Sequence, residues 1–322
     1  MPTTRKVLAS PYEQELSRLP VRTGEIPLLG GTTRYWDYGD PAATETVILV
    51  HGFRGDHHGL EPVIAQLPPV RVVAPDLPGF GESTPLTEVP HDIDGYRQWL
   101  GAFLDALKPT GRVVLLGHSF GSIIVAATCA RNPVVADAVI LVNPIGQPAL
   151  AGPRGVMTRL AIFYYWSAAA LPESLGFALL TNRGIVRVMS VAMAKTRDHA
   201  LRAWIHNQHD RYFSAFRDRR VVLEAFQASV SHDVSEYAAQ ITAPTLLVAA
   251  ANDDITPIEA ERRLVTLFPH ATLVELPDVG HLIHYEKPVE AAAAIVAFVN
   301  TVEEELETTA HRERNTESEQ KP

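Results

Sequence analysis

Residues Leu115-Leu116-Gly117-His118-Ser119-Phe120-Gly121-Ser122, "LLGHSFGS", decide how this chain is read. The aliphatic run "RVVLLG" from Arg112 leads into the serine, and the helix-like stretch "FGSIIVAATCARN" leads away from it. Gly117 to Gly121 matches G-x-S-x-G, and strand–turn–helix is the setting in which that pattern holds a nucleophilic serine on a sharp turn. The glycines two positions either side lack side chains, so strand and helix can approach closely around a strained residue. The plain alternative is a serine that only caps a helix. A nucleophilic serine needs a histidine to take its proton. His118 is nearest in sequence, but neighbouring side chains on a strand point to opposite faces. The base must therefore come from elsewhere, and His118 is expected to pack beside the turn or to shape the pocket wall.

Five more runs resemble the one before Ser119: "TVILV" from Thr46, "VRVVAPD" from Val70, "DAVILVN" from Asp137, "PTLLVAAAND" from Pro244 and "ATLVELPD" from Ala271. Most are continuously apolar, as strands buried on both faces are. Between them lie helix-like stretches, one at Asp92 with that residue as N-cap and one starting with Pro257 in its first turn. The alternation predicts an α/β fold, a mostly parallel sheet with helices on both faces. "GEIPLLGGTTRYWDYGDP" from Gly24 reads as one or two antiparallel edge strands. From 145 to 240 no buried strand is apparent, and the stretch reads as a string of helices inserted as a lid. The expected organisation is a core over 1–144 and 241–306, a helical lid over 145–240 and a charged, disordered tail over 307–322.

Composition narrows the function. A chain of 322 residues fits two domains, or one large domain with an insertion, at about 150 residues per domain. The net charge of −9, with no Lys/Arg-rich run, argues against nucleic acid and gives no electrostatic help toward anionic lipid. The single cysteine, Cys129, allows no intrachain disulfide and reads as a small buried apolar residue. The first residues hold no apolar run of signal-peptide length, and "LAIFYYWSAAALP" from Leu160 falls short of the roughly 20 residues that span a bilayer. A cytoplasmic protein without stable membrane insertion is expected.

A serine nucleophile needs donors for the developing oxyanion. One is the N–H of Phe120, at a helix N-terminus where the dipole helps. The second is the N–H of Phe53, in the loop "HGFRGDHHG" after another strand, with His51 orienting that loop. "DHHG" from Asp56 and "HNQHD" from His206 carry histidines, but neither has H-E-x-x-H spacing or a cysteine ligand. His206 and His209 read as lid-surface residues, and His57 or His58 as residues at a pocket mouth. "PGFGES" lacks the dinucleotide pattern G-x-G-x-x-G, so no cofactor and no metal is expected.

Four blocks in order then resemble the α/β-hydrolase superfamily, from about Gly24 to Leu306: "HGF" at His51, "DLPGFGES" at Asp76, "GHSFG" at Gly117 and "DVGHLIHYEKP" at Asp278. The last looks like the family's G-H-x-x-x-x-E-x-P block, which implies His281 as the base, with His284 as competitor. The resemblance places the acid after a late strand, between serine and histidine. "LLVAAANDDITP" offers Asp253 and Asp254. The family's spacing to a proline, here Pro257, picks Asp253, although Ala250 stands where the family often has glycine. Serine, rather than aspartate, as nucleophile implies acyl chemistry. The expected enzyme is a serine hydrolase of the esterase or lipase kind, acting on a small hydrophobic acyl substrate. Alternatives are a carbon–carbon hydrolase and a non-catalytic ligand-binding protein. The apolar stretch "IFYYWSAAALPESLGFALL" is expected to shape the acyl pocket.

Overall fold

All six aliphatic runs form strands of one sheet. The computed structural model describes residues 7–68, 70–148 and 155–319. Its strands are β1 (Val21–Leu28), β2 (Gly31–Tyr38), β3 (Glu45–Val50), β4 (Arg71–Pro75), β5 (Arg112–His118), β6 (Ala138–Val142), β7 (Thr245–Ala250) and β8 (Ala271–Leu276). They lie in the order β1-β2-β4-β3-β5-β6-β7-β8. β1 and β2 form an antiparallel hairpin, β2 runs antiparallel to β4, and β3 to β8 are parallel. Of the lead-in pair only β1 is an edge, because β2 is paired on both sides.

The helices are α1 (Glu13–Leu16), α2 (Glu61–Ile64), α3 (Ile93–Leu107), α4 (Phe120–Arg131), α5 (Gly155–Ala170), α6 (Glu173–Leu180), α7 (Arg183–Met193), α8 (His199–Tyr212), α9 (Arg219–Ser231), α10 (Ile258–Leu264), α11 (Ile283–Glu286) and α12 (Pro288–Glu319). Period-two alternation splits each strand between two layers. Ile48, Leu115 and Val139 face α3 and α4, packing with Tyr96, Trp99 and Ile123. Val47, Leu116 and Ile140 face α2 and α12, packing with Ile64, Ala292 and Ile295. Asp92 caps α3 by accepting from the Gly95 N–H at 2.8 Å, as its sequence position predicts.

Helices α5 to α9 all fall between β6 and β7. Asn182, Asp198 and Asp218 cap α7, α8 and α9, which divides the run into separate helices. Tyr165, Ala168, Leu180 and Val221 bury themselves in the same layer as α3 and α4. Part of the expected insertion, 149–154, lies outside the described residues. One expectation is corrected: α12 continues to Glu319, through most of the stretch read as a disordered tail. No Gly or Pro interrupts 289–319, and Glu, Ala and Arg recur there, all good helix formers. Residues 320–322 lie outside the described residues.

Candidate active site

Ser119 stands between β5 and α4 with φ +52° and ψ −117°. Few side-chain-bearing residues hold a positive φ, and those that do often mark functional turns. The flanking glycines make the turn possible. A Cβ on Gly117 would lie 2.5 Å from the Gly121 carbonyl oxygen, and one on Gly121 would lie 2.2 Å from the Val50 carbonyl oxygen. Both neighbours are backbone, so neither can swing aside. Gly121→Ala is expected to force α4 off β3 and to destabilise the fold by about 3 kcal/mol or more. Urea unfolding of the variant checks this, and an unchanged midpoint would contradict it.

Chain elements far apart in sequence meet at this turn. His281, just before α11, brings Nε2 to 2.8 Å from Ser119 Oγ. Its Nδ1 donates to Asp253 Oδ2 at 2.7 Å. All three side chains are buried. Asp253 also accepts from Thr256 Oγ1 at 2.7 Å and, through Oδ1, from the N–H groups of Ile255 and Thr256. Burial alone would raise the Asp253 pKa. The charge and hydrogen bond of His281, with the Thr256 hydroxyl and Ile255 N–H, outweigh burial and hold it below the usual carboxylate value. Asp253 is therefore an anion bonded to His281 Nδ1, and His281 Nε2 faces Ser119 Oγ, where an imidazole can take a hydroxyl proton. Asp254 is exposed and ion-paired with Lys195.

The loop after β3 lies against the same turn: a Cβ on Gly52 would come 3.3 Å from Ser119 Cβ. His51 is fully buried and fixes this loop. Its Nδ1 donates to the Gly52 carbonyl and its Nε2 accepts from the Leu77 N–H, each at 2.8 Å. Among the described residues, the N–H groups of Phe53 and Phe120 donate to no protein group. The Phe53 ring sits among Phe80, Phe120, Tyr165 and Phe226, at 5.8 to 6.3 Å between centroids. Asp76, after β4, ties the "DLPGFGES" turn to the loop. Its Oδ1 accepts from the His57 N–H and Nδ1, and its Oδ2 from the Glu82 N–H.

Several histidines sit differently from the sequence expectation. His57 does not line a pocket mouth; it is buried on Asp76 and stacked on Trp36 at 3.3 Å. Asp56, His57 and His58 bring one potential ligand atom each to within 4.8 Å of one another. Asp56 Oδ1, however, already accepts from the His58 N–H, and His57 Nδ1 is held by Asp76. His209 is not a surface residue. It is buried and shares Ser190 Oγ with His206. His118 and His284 are buried too, edge to face at 4.3 Å. Burial, then the charge of His281, pushes the His118 pKa down to about 3. Burial, then His206, does the same to His209. Both stay neutral where an unfolded histidine, with a pKa of about 6.5, takes a proton.

The folded state thus refuses protons that the unfolded chain binds below pH 6.5. The stability these two residues contribute is complete above that value and is lost as pH falls toward 3. Each is expected to remove about 1.4 kcal/mol per pH unit across that window. Urea titrations between pH 6 and pH 4 test this. His209→Gln should reduce the slope by one proton, and a slope that the substitution leaves alone would contradict the assignment.

A family model described as the alpha/beta hydrolase fold matches residues 45–288. The chain belongs to this family. Lipase 1 of Psychrobacter immobilis is 26% identical over 308 residues, 94% of this chain and 90% of the lipase. A 2-hydroxy-6-oxononadienedioate/2-hydroxy-6-oxononatrienedioate hydrolase of Cupriavidus pinatubonensis is 24% identical, covering 80% of this chain and 88% of its own. A thermophilic esterase from Thermogutta terrifontis superposes with a TM-score of 0.69 at 23% identity, over 87% of this chain and 99% of the esterase. The chain is accordingly an enzyme, a hydrolase of this fold.

Two residues of this hydrolase escape sequence reasoning. Asn143, at the end of β6 with φ +42°, donates from Nδ2 to the His281 carbonyl at 2.9 Å and accepts the Ala250 N–H at 2.9 Å. It anchors the histidine loop to the sheet. Arg54, next to Phe53, is 1% exposed, and no carboxylate pairs with it among the described residues. Its guanidinium donates to the carbonyls of Phe213 and Leu180, the Tyr165 hydroxyl and Ser214 Oγ. It ties the loop after β3 to the inserted helices. The "VNP" around Asn143 carried a faint turn signal; Arg54, whose partners lie 111 to 160 positions away, carried none.

Proposed function

We propose that this hydrolase cleaves small-to-medium hydrophobic carboxylic esters through an acyl-enzyme on Ser119. The observation that carries the reading is the unbroken Ser119–His281–Asp253 chain, at 2.8 and 2.7 Å, beside two unpartnered amides. His281 Nε2 takes the Ser119 proton as Oγ attacks the ester carbonyl carbon. Asp253 holds the imidazole in the productive tautomer and stabilises its cation. The carbonyl oxygen becomes an oxyanion held by the Phe53 and Phe120 N–H groups, each worth about 3 kcal/mol in the transition state. Collapse breaks the ester C–O bond, and the imidazolium gives its proton to the leaving alkoxide. Water, deprotonated by His281, then releases the acid and restores Ser119.

The aromatic rings around Phe53 favour an apolar acyl group, with α5 to α9 acting as the lid above it. The name of the Psychrobacter relative supports ester chemistry, while that of the Cupriavidus relative favours carbon–carbon cleavage as a second reading. A panel of p-nitrophenyl esters of graded chain length separates the two. Each added methylene is expected to raise kcat/KM roughly fourfold until the pocket is full. Uniformly poor turnover of the esters, with rapid cleavage of a vinylogous diketone, would replace this reading with the second.

A further inference from the structure

The stretch expected to shape the acyl pocket turns much of its apolar surface outward. Leu160, Phe163 and Trp166 stand exposed on one face of α5, spaced three residues apart, and the last two rings stack at 6.0 Å. Leu171, in the two-residue connection, and Leu175 on α6 are exposed as well. On the opposite face of α5, Tyr165 and Ala168 are buried in the core. A helix apolar on both faces calls for an apolar environment on both. The core supplies one, and an exposed apolar face on this scale marks an interaction site.

Charge identifies the partner. Residues 155–231 carry ten Arg and Lys against five Asp and Glu, whereas the rest of the chain carries 18 against 32. The net −9 that argues against anionic lipid therefore conceals a cationic insertion. Four of its arginines stand at the two ends of α6. Arg217 and Arg219 border a shallow hollow beside Glu173, Ser174 and Phe177 at the start of α6. Arg183 and Arg211 border another just past its end. Exposed aromatics at the depth of the headgroups, flanked by guanidinium groups at the phosphates, are how a helix lies in a membrane interface.

We propose that the α5–α6 face docks on an anionic lipid bilayer surface. It lies on the bilayer without crossing it. Residues Glu173–Met193 have the length and composition of a span. They are nonetheless two helices, broken at Thr181 and Asn182, with Asn182 capping the second. A symmetric contact with a second copy is disfavoured, because it would press two cationic faces together. Binding is read without turnover, so it stands or falls separately from the ester reading.

The test is flotation of the full chain with vesicles of phosphatidylcholine alone, or mixed with phosphatidylglycerol. The mixed vesicles are expected to bind about tenfold or more tightly, less so at high salt. Phe163→Ser with Trp166→Ser, and separately Arg183→Glu with Arg217→Glu, should each weaken binding about tenfold. Both variants should keep the wild-type melting temperature and hydrolysis of a short soluble ester. Three results would overturn the proposal: no binding to either vesicle, binding that ignores both variants, or a concentration-dependent dimer in ultracentrifugation that Phe163→Ser with Trp166→Ser dissolves.

Discussion

Ser119→Ala is expected to lower kcat/KM on a hydrophobic ester by roughly 10⁶-fold while leaving the melting temperature nearly unchanged. The substitution removes the atom that forms the acyl-enzyme, and with it the two-step route. What remains is the oxyanion donors at Phe53 and Phe120 and the binding of the acyl group, which leave some acceleration over water. His281→Ala should cost about as much, since a serine without its base is a weak nucleophile. The double variant should be no worse than either single one, because the two residues act as one unit. Steady-state kinetics of the three proteins, with melting curves as control, check this. Additive losses would mean that Ser119 and His281 contribute independently.

Asp253→Asn is expected to lower kcat by about 10⁴-fold, and Asp254→Asn by less than about threefold. The asparagine keeps the shape of the site but presents an amide where His281 Nδ1–H now finds a carboxylate. The imidazole then adopts the wrong tautomer or loses its orientation, and the cation formed in the reaction loses its counter-charge. Thr256 Oγ1 and two backbone N–H groups hold Asp253 in place, so the geometry should survive the change. Asp254 is exposed and ion-paired with the surface Lys195, and an exposed pair of that kind contributes little. Equal losses in the two variants would show that the acid is shared or misassigned.

Most of the frame was legible because its signals are local. A buried parallel strand must be continuously apolar, so six strands could be read as runs. The turn at Ser119 needs glycine on both sides, and the glycines are visible in sequence. Asp253 and Asp254 are adjacent and chemically alike, so the residues alone could not separate them. The fold does so by turning one toward His281 and the other toward Lys195. Burial of single residues was least legible. His209 looks polar in "HNQHD" but is enclosed because Ser190 of α7 and the rings of Phe213 and Tyr285 pack against it. Trp166 looks like core in "IFYYW" but stands outside because Tyr165, its neighbour, takes the inward face. Net charge is coarse for a related reason: it averages a cationic insertion with an acidic remainder of the chain.

The most direct test of the central claim is covalent labelling with a fluorophosphonate followed by intact-mass and peptide mass spectrometry. The account predicts one adduct per chain, on Ser119. Labelling should be absent in Ser119→Ala and His281→Ala and largely retained in His118→Ala. A folded wild-type chain that takes no label, or one labelled on a residue other than Ser119, would contradict it.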